Sequence, residues 1–423
     1  MDISSYLEDY GKKAKKASYL MACAGGEKKN EALAKAAELL KERAGSIIAE
    51  NEKDLKNAIE NGIRPQMIDR LRLTEKRIDD MATGIHQLVG LKDPVGEVIG
   101  GGRRPNGLEI IKKRVPLGVL GIIFEARPNV TCDAAGLCVK SGNACILRGG
   151  KEAILSNLAI AKVFREALAS SGLPEDAVQL IDNTDREIAN GMMKLENYID
   201  VLIPRGGAGL IKNVLINATV PVIRTGTGNC HVFVDESADQ DMAVNIIINA
   251  KTQRPSVCNA EESLLVHKKI AGEFLPKIAK ELISRNVELR VCERTAEILK
   301  KAGIEQFVSA KEEDWATEYD DLILAVRVVD SCGEAIDHIN RYGTMHSEAI
   351  ITESYENGKR FTEQVDAACV YINASTRFTD GFEFGLGAEI GISNQKLHAR
   401  GPMGLEELTT VKYIINGEGQ IRK

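Results

Sequence analysis

The spacing of apolar residues divides the chain into three kinds of segment. Residues 12–60 are rich in Ala, Lys and Glu, and "KNEALAKAAELLKERAGSIIAENEKDLKNAIENG" repeats its apolar positions at helical intervals before closing on Gly62. This predicts a layer of amphipathic surface helices. The pattern breaks at "EVIGGGRRPNGLEIIKKRVPLG", where a glycine run and a Pro-Asn-Gly turn lie between alternating residues. That is the pattern of a projecting β-hairpin, which has too little core to stand alone. From Val119 onward short apolar strands alternate with amphipathic helices: "GVLGIIF", "ACILRG", "AVQLI", "YIDVLIP" and "VPVI" read as strands. A second alternation follows "TGTGNCHVFVD", with strands expected at "SLLVH", "VELRV", "DLILAV", "HSEAIIT" and "ACVYIN". Such alternation predicts parallel sheets covered on both faces. The expected fold class is α/β, with two doubly wound α/β domains, the hairpin, and a terminal strand in "LTTVKYIING".

Composition narrows the class of partner. With 423 residues and 44% hydrophobic content the chain can bury two sizeable cores. A net charge of -6 with interleaved acids and bases argues against surfaces for nucleic acid or anionic membrane. Small molecules and further copies of the chain are the expected partners. Apolar runs such as "VPLGVLGIIF" fall short of the ~20 residues that a membrane helix needs. The N-terminal stretch opens with acids and has no apolar signal core, so a cytoplasmic location is expected. Nine cysteines without a CxxC pair argue against a disulfide framework or a structural zinc site. Cys132, Cys138, Cys145, Cys292, Cys332 and Cys369 sit in apolar periodic stretches as small hydrophobes. Cys258, in "KTQRPSVCNAEESLLVH", stands apart in a loop that leads into a strand.

Two predicted strands end in glycine beside arginine, "LRGGKEA" and "IPRGGAG". Close backbone approach together with guanidinium groups at the carboxyl edge of a parallel sheet suits a phosphate-bearing cofactor. The GxGxxG fingerprint of the usual dinucleotide crossover is missing.

Taken in order, "VPLGVLGIIFEARPNVT", "ILRGGKEA", "IPRGGAGLI", "IRTGTGNCH", "RPSVCNAEESLLVH", "VVDSCGEAIDHINRYGTMHSEAI" and "EFGLGAEIGISNQKLHARGPMGLEELT" resemble the aldehyde dehydrogenase superfamily over essentially the whole chain. The nearest resemblance is to members that reduce an acyl phosphate. It implies an aldehyde dehydrogenase-like fold, with an NADPH-binding domain over 1–101 and 123–228 and a catalytic cysteine domain over 229–385. An oligomerisation hairpin and C-terminal strand would occupy 102–122 and 386–423. The implied reaction is NADPH-dependent reduction of L-glutamate 5-phosphate to L-glutamate 5-semialdehyde in proline biosynthesis, with release of phosphate. A homo-oligomer, and transient contact with a separate glutamate 5-kinase, are the implied partners.

The resemblance also assigns roles. Cys258 is the nucleophile that forms a thioester, a role suited to a thiolate, which both attacks and leaves well. Arg127 stands where relatives place an oxyanion-binding asparagine; it could stabilise the oxyanion or hold the departing phosphate, and Asn129 offers an amide for the former. Arg148, Gly149, Gly150 and Lys151 match the adenosine-ribose loop. A lysine at 151 in place of a glutamate favours a 2′-phosphate, hence NADPH over NADH. Arg205, Gly206 and Gly207 match the pyrophosphate loop, and Glu318 matches the ligand of the nicotinamide ribose. Thr225 and Gly226 begin "TGTG", which replaces the segment carrying a water-activating glutamate in hydrolytic relatives, so a thioester here is protected from water. Arg377, His398 and Arg400 are the implied substrate-binding groups. His338 and His346 read as structural.

Overall fold

The computed structural model describes residues 2–125 and 127–422. The chain forms two compact units: 1–224 with 385–391 and 403–423, and 225–384 with 392–402. Residues 102–122 and most of 386–423 therefore belong to the first unit. No helix among the described residues is long and apolar enough to cross a membrane.

The first unit is built on a four-stranded parallel sheet in the order Val178–Leu180, Ala144–Arg148, Val119–Phe124, Val201–Arg205. The predicted N-terminal layer is present as Ile3–Ala22, Gly26–Glu42 and Ala44–Glu60. Its apolar stripes, including Leu7, Leu33, Leu40 and Ile47, are buried. Strand Val119–Phe124 is buried at every position, as expected of a central parallel strand. Its start is pinned where Asp200 accepts from the Val119 amide at 2.8 Å. Gly118, at φ 127°, lies so close that a Cβ would come within 2.2 Å of the same carboxylate. The two Arg-Gly-Gly loops end the strands on either side of this central strand. "VPVI" forms only an isolated bridge between Leu202 and Val222. Pro221 lacks the amide that would continue a ladder, and its carbonyl accepts from Leu202 instead.

The hairpin spans Val98–Arg103 and Glu109–Pro116, and Thr409–Asn416 pairs antiparallel with its second strand. This three-stranded sheet exposes Val98, Tyr413 and Ile415.

The second unit carries a seven-stranded parallel sheet in the order Val308–Ser309, Glu288–Val291, Ile323–Val329, Glu261–His267, Cys230–Val234, Ser347–Ile351, Cys369–Ile372. Alternate residues of one strand enter different cores. Leu264 and Val266 pack with Phe274, Leu275 and Ile278, whereas Leu265 packs with Ile336, Ile339 and Phe361. This is the doubly covered sheet that the sequence predicts. Cys230–Val234, to which the sequence pattern assigns no strand, is wholly buried near its centre.

Candidate active site

Cys258 lies between helix Gln240–Thr252 and strand Glu261–His267, at the amino end of the second unit's sheet. Three contacts set its backbone. Gly228 presses on its carbonyl so closely that a Cβ there would come within 1.4 Å of the oxygen. The Cys230 thiol donates to that carbonyl at 3.2 Å. The next residue, Asn259, donates its amide to the carbonyls of Thr379 at 2.8 Å and Arg377 at 3.3 Å, while Thr376 Oγ1 donates to the Asn259 carbonyl at 2.7 Å. Cys258 itself is partly exposed, whereas Cys230 is buried and its thiol pKa is pushed well up by desolvation. Cys23 and Cys292 are also accessible, but Cys258 is the accessible cysteine that lies in a loop at the end of the second unit's sheet with Gly228 packed on its backbone.

Arg377 binds this loop at both ends, donating from Nε to Gln253 Oε1 at 2.8 Å and from Nη1 to Asn259 Oδ1. Burial and the nearby Arg254 lower its pKa, and Cys258 is the largest influence in the other direction. A half-buried guanidinium thus stands in the electrostatic surroundings of the nucleophile.

Segment 225–229 threads through the same region. Gly226 abuts Asn394, whose Nδ2 would lie 2.2 Å from a Cβ, and Gly228 donates its amide to Glu318 Oε1 at 2.7 Å. Burial raises the Glu318 pKa to about 7; the Gly228 bond opposes the rise and Asp320 adds to it. The Asp320 amide is in turn held by Glu262, which pairs with Lys251 at 2.6 Å with both side chains fully buried. The segment contains no carboxylate of its own, but its backbone holds one. His346 bonds Ser347 at 2.8 Å, and burial lowers its pKa to about 4; His338 is lowered to about 2 for the same first reason. His398 is exposed at φ 64°, and Arg400 pairs with Asp366 at 2.7 Å.

The remaining predicted residues lie at the carboxyl edge of the first unit's sheet. A cavity of about 1090 Å³ is lined by Phe124, Glu125, Arg148, Gly150, Lys151 and Arg186, among others. Gly149 is small because Asn157 and Phe124 pack against it, with Asn157 Nδ2 2.3 Å from where a Cβ would be. Glu125 accepts from the Gly207 amide at 3.2 Å, and its Cδ would lie 2.5 Å from a Cβ on Gly206. Asn129 donates to Asp133 at 3.1 Å; burial raises the Asp133 carboxyl to about 6, against the pull of Asn129 and Arg205. Arg127 is partly exposed, its amide bonding the Glu125 carbonyl at 2.9 Å. Sequence reasoning passed over Glu125, Asp133, Arg186, Gly228 and Cys230. Only the regular spacing of glycines in "TGTG" hinted at one of them.

The sequence profile of the aldehyde dehydrogenase family matches residues 5–296. The chain belongs to this family. Within it, the chain is 63% identical over 412 residues to the gamma-glutamyl phosphate reductase of Clostridium botulinum (strain Alaska E43 / Type E3), covering 97% of this chain and 98% of that protein. It is 58% identical over 423 residues to the gamma-glutamyl phosphate reductase of Moorella thermoacetica, covering all of both. The crystal structure of gamma-glutamyl phosphate reductase from Thermotoga maritima superposes with a TM-score of 0.95 at 53% identity, covering 99% of this chain and 100% of that one. The aldehyde dehydrogenase fold thus accounts for both parallel sheets and for the small antiparallel one.

Proposed function

We propose that this chain reduces L-glutamate 5-phosphate to L-glutamate 5-semialdehyde at the expense of NADPH, releasing inorganic phosphate, as a step of proline biosynthesis. One observation carries the reading: in a chain matching gamma-glutamyl phosphate reductases from end to end, the cysteine singled out by its loop is accessible and has its backbone clamped by Gly228. The Cys258 thiolate attacks the acyl carbon of the substrate, the bond from that carbon to the phosphate oxygen breaks, and a thioester remains on sulfur. Arg377, held by Gln253 and Asn259, supplies positive charge beside the thiolate and the anionic substrate. When bound, the nicotinamide cofactor supplies the hydride that reduces the thioester.

The first unit's cavity fits an anionic dinucleotide. Its volume is ample, and Arg64, Lys151 and Arg186 line it with no ion pair among the described residues. Lys151 favours NADPH. His398 and Arg400 serve the substrate's carboxylate and Arg127 with Asn129 its acyl oxygen, extending the family's pattern to this chain. The exposed three-stranded sheet, with Tyr413 and Ile415 on its edge strand, suits pairing with a second copy in a cytoplasmic homo-oligomer. A glutamate 5-kinase must supply the labile substrate and is its natural transient partner.

The test runs the reaction backwards. Glutamate semialdehyde should reduce NADP⁺ only when phosphate is present, with acyl phosphate as the product. Steady reduction in phosphate-free buffer, with glutamate accumulating, would overturn the reading and would point to Glu318 as a base acting on water.

A further inference from the structure

We infer that Arg186, together with Lys151, forms the seat for the 2′-phosphate of the cofactor, and that Arg148 holds that seat in place without occupying it. The inference rests on reading the first unit's cavity as the NADPH site. Alignment with the family gives the ribose-side role to Arg148, but its side chain is already engaged: Nη2 donates to the carbonyls of Thr184 at 2.6 Å and Asp185 at 3.3 Å. Those are the two residues that precede Arg186. Asp185 also caps helix Arg186–Met192 by accepting from the Glu187 amide at 3.0 Å, and its own amide is bound by Asn183 at 2.9 Å. The backbone entering Arg186 is thereby fixed from two directions, while its side chain remains exposed at the cavity wall.

The charges around Arg148 show what its neighbours are. Burial lowers its pKa first, Glu152 and Asp185 oppose that, and Arg186 adds to it. The turn bearing Lys151 and Glu152 and the turn bearing Asp185 and Arg186 thus flank one guanidinium. Among the described residues no carboxylate pairs with Lys151 or Arg186, although Glu152 and Glu187 line the same wall. Among the lining residues, Arg64, Arg148, Lys151 and Arg186 set four positive charges against the three of Glu125, Glu152 and Glu187. A dianionic phosphate between Lys151 and Arg186 would satisfy both, and a guanidinium can meet it with two parallel hydrogen bonds. A hydroxylated ribose would leave both cations unused.

The experiment is a binding titration that needs no turnover. Fluorescence titrations with NADPH and NADH, and with adenosine monophosphates carrying or lacking a 2′-phosphate, would be run on wild type, Arg186→Ala, Arg186→Lys and Arg148→Met. Arg186→Ala should weaken the ligands bearing a 2′-phosphate by about 10–100-fold and leave the others within about twofold, consistent with losing a charge-assisted hydrogen bond. Arg186→Lys should recover part of the loss. Arg148→Met should give a loss of the same selectivity, through displacement of the 184–186 segment. Unchanged NADPH binding in Arg186→Ala, or equal weakening of both classes of ligand, overturns the inference. Failure of the underlying reading looks different: wild type would then bind neither dinucleotide, or would show no preference for the 2′-phosphate.

Discussion

Replacing Gly228 by alanine should disable the nucleophile while leaving the fold intact. Gly228 has no left-handed backbone conformation to protect, so alanine is allowed there by its dihedral angles and excluded only by space. The added Cβ would sit 1.4 Å from the Cys258 oxygen, 2.3 Å from its carbonyl carbon and 2.8 Å from its Cα, against the 3.0 Å below which real Cβ contacts essentially never fall. The obstructing atoms are backbone, so about 1.6 Å must open between two main-chain segments. Overpacking of this kind costs about 1–3 kcal/mol. Movement of Gly228 also threatens its amide's hydrogen bond to Glu318, worth about 1.5–3 kcal/mol when the acceptor is charged. Because a displacement of ~1 Å at a reacting atom costs about 100-fold, kcat/KM in the phosphate-dependent reverse assay should fall at least that far. Gly226→Ala provides the control: its Cβ meets the Asn394 side chain, which can rotate, so the loss should be smaller. The reasoning is refuted if Gly228→Ala folds and keeps activity within about threefold of wild type, with Cys258 alkylated at the wild-type rate.

Cys258→Ser should abolish turnover and leave NADPH binding intact, since a hydroxyl fits the loop but is a far weaker nucleophile near neutral pH; retention of more than about a tenth of the activity would remove Cys258 from its role. His338 and His346 make stability fall in acid. Their folded pKa values, about 2 and about 4, lie below the ordinary 6.5, so the unfolded chain gains protons first; the stability they contribute is complete above pH 6.5 and is lost as pH falls toward those values. Each should account for about 2 kcal/mol of loss at pH 5. Denaturant titrations of wild type and His338→Gln at pH 7 and pH 5 should differ in pH dependence by about that amount, and parallel curves would exclude the contribution.

Most strands of both sheets were legible because burial on two faces leaves short continuous apolar runs, as in Val119–Phe124. The proline at 221 carried enough information to demote "VPVI", but its effect depends on which partner it meets, and spacing alone does not show that. Cys230–Val234 escaped notice because polar Asn229 abuts its start and His231 interrupts its apolar run, and both are accommodated by long-range partners: Trp315, Tyr342 and Glu348. The candidate site was legible as motifs and illegible as contacts. Asn259 and Arg377 are 118 positions apart, and nothing local announces that one clamps the other. Glycines at 149, 206, 226 and 228 look alike in sequence; the structure shows each making room for a different neighbour of this same chain.

Strand Thr409–Asn416 completes the sheet begun by the hairpin, and Asn416 bonds Glu109 across 307 positions. A ribosome adds about 5–20 residues per second, so the hairpin emerges roughly 15–60 s before its last strand. Throughout that interval the edge of Glu109–Pro116 is open, with Ile110, Ile111 and Val115 beside unpaired amides. Lys112, Lys113 and Arg114 interrupt those apolar residues at mid-strand, the placement that discourages edge-to-edge association. Three successive charges at mid-strand oppose the pairing of one such open edge with another. A chain cut short before Thr409 would keep the edge open permanently and would depend on them alone to stay out of aggregates.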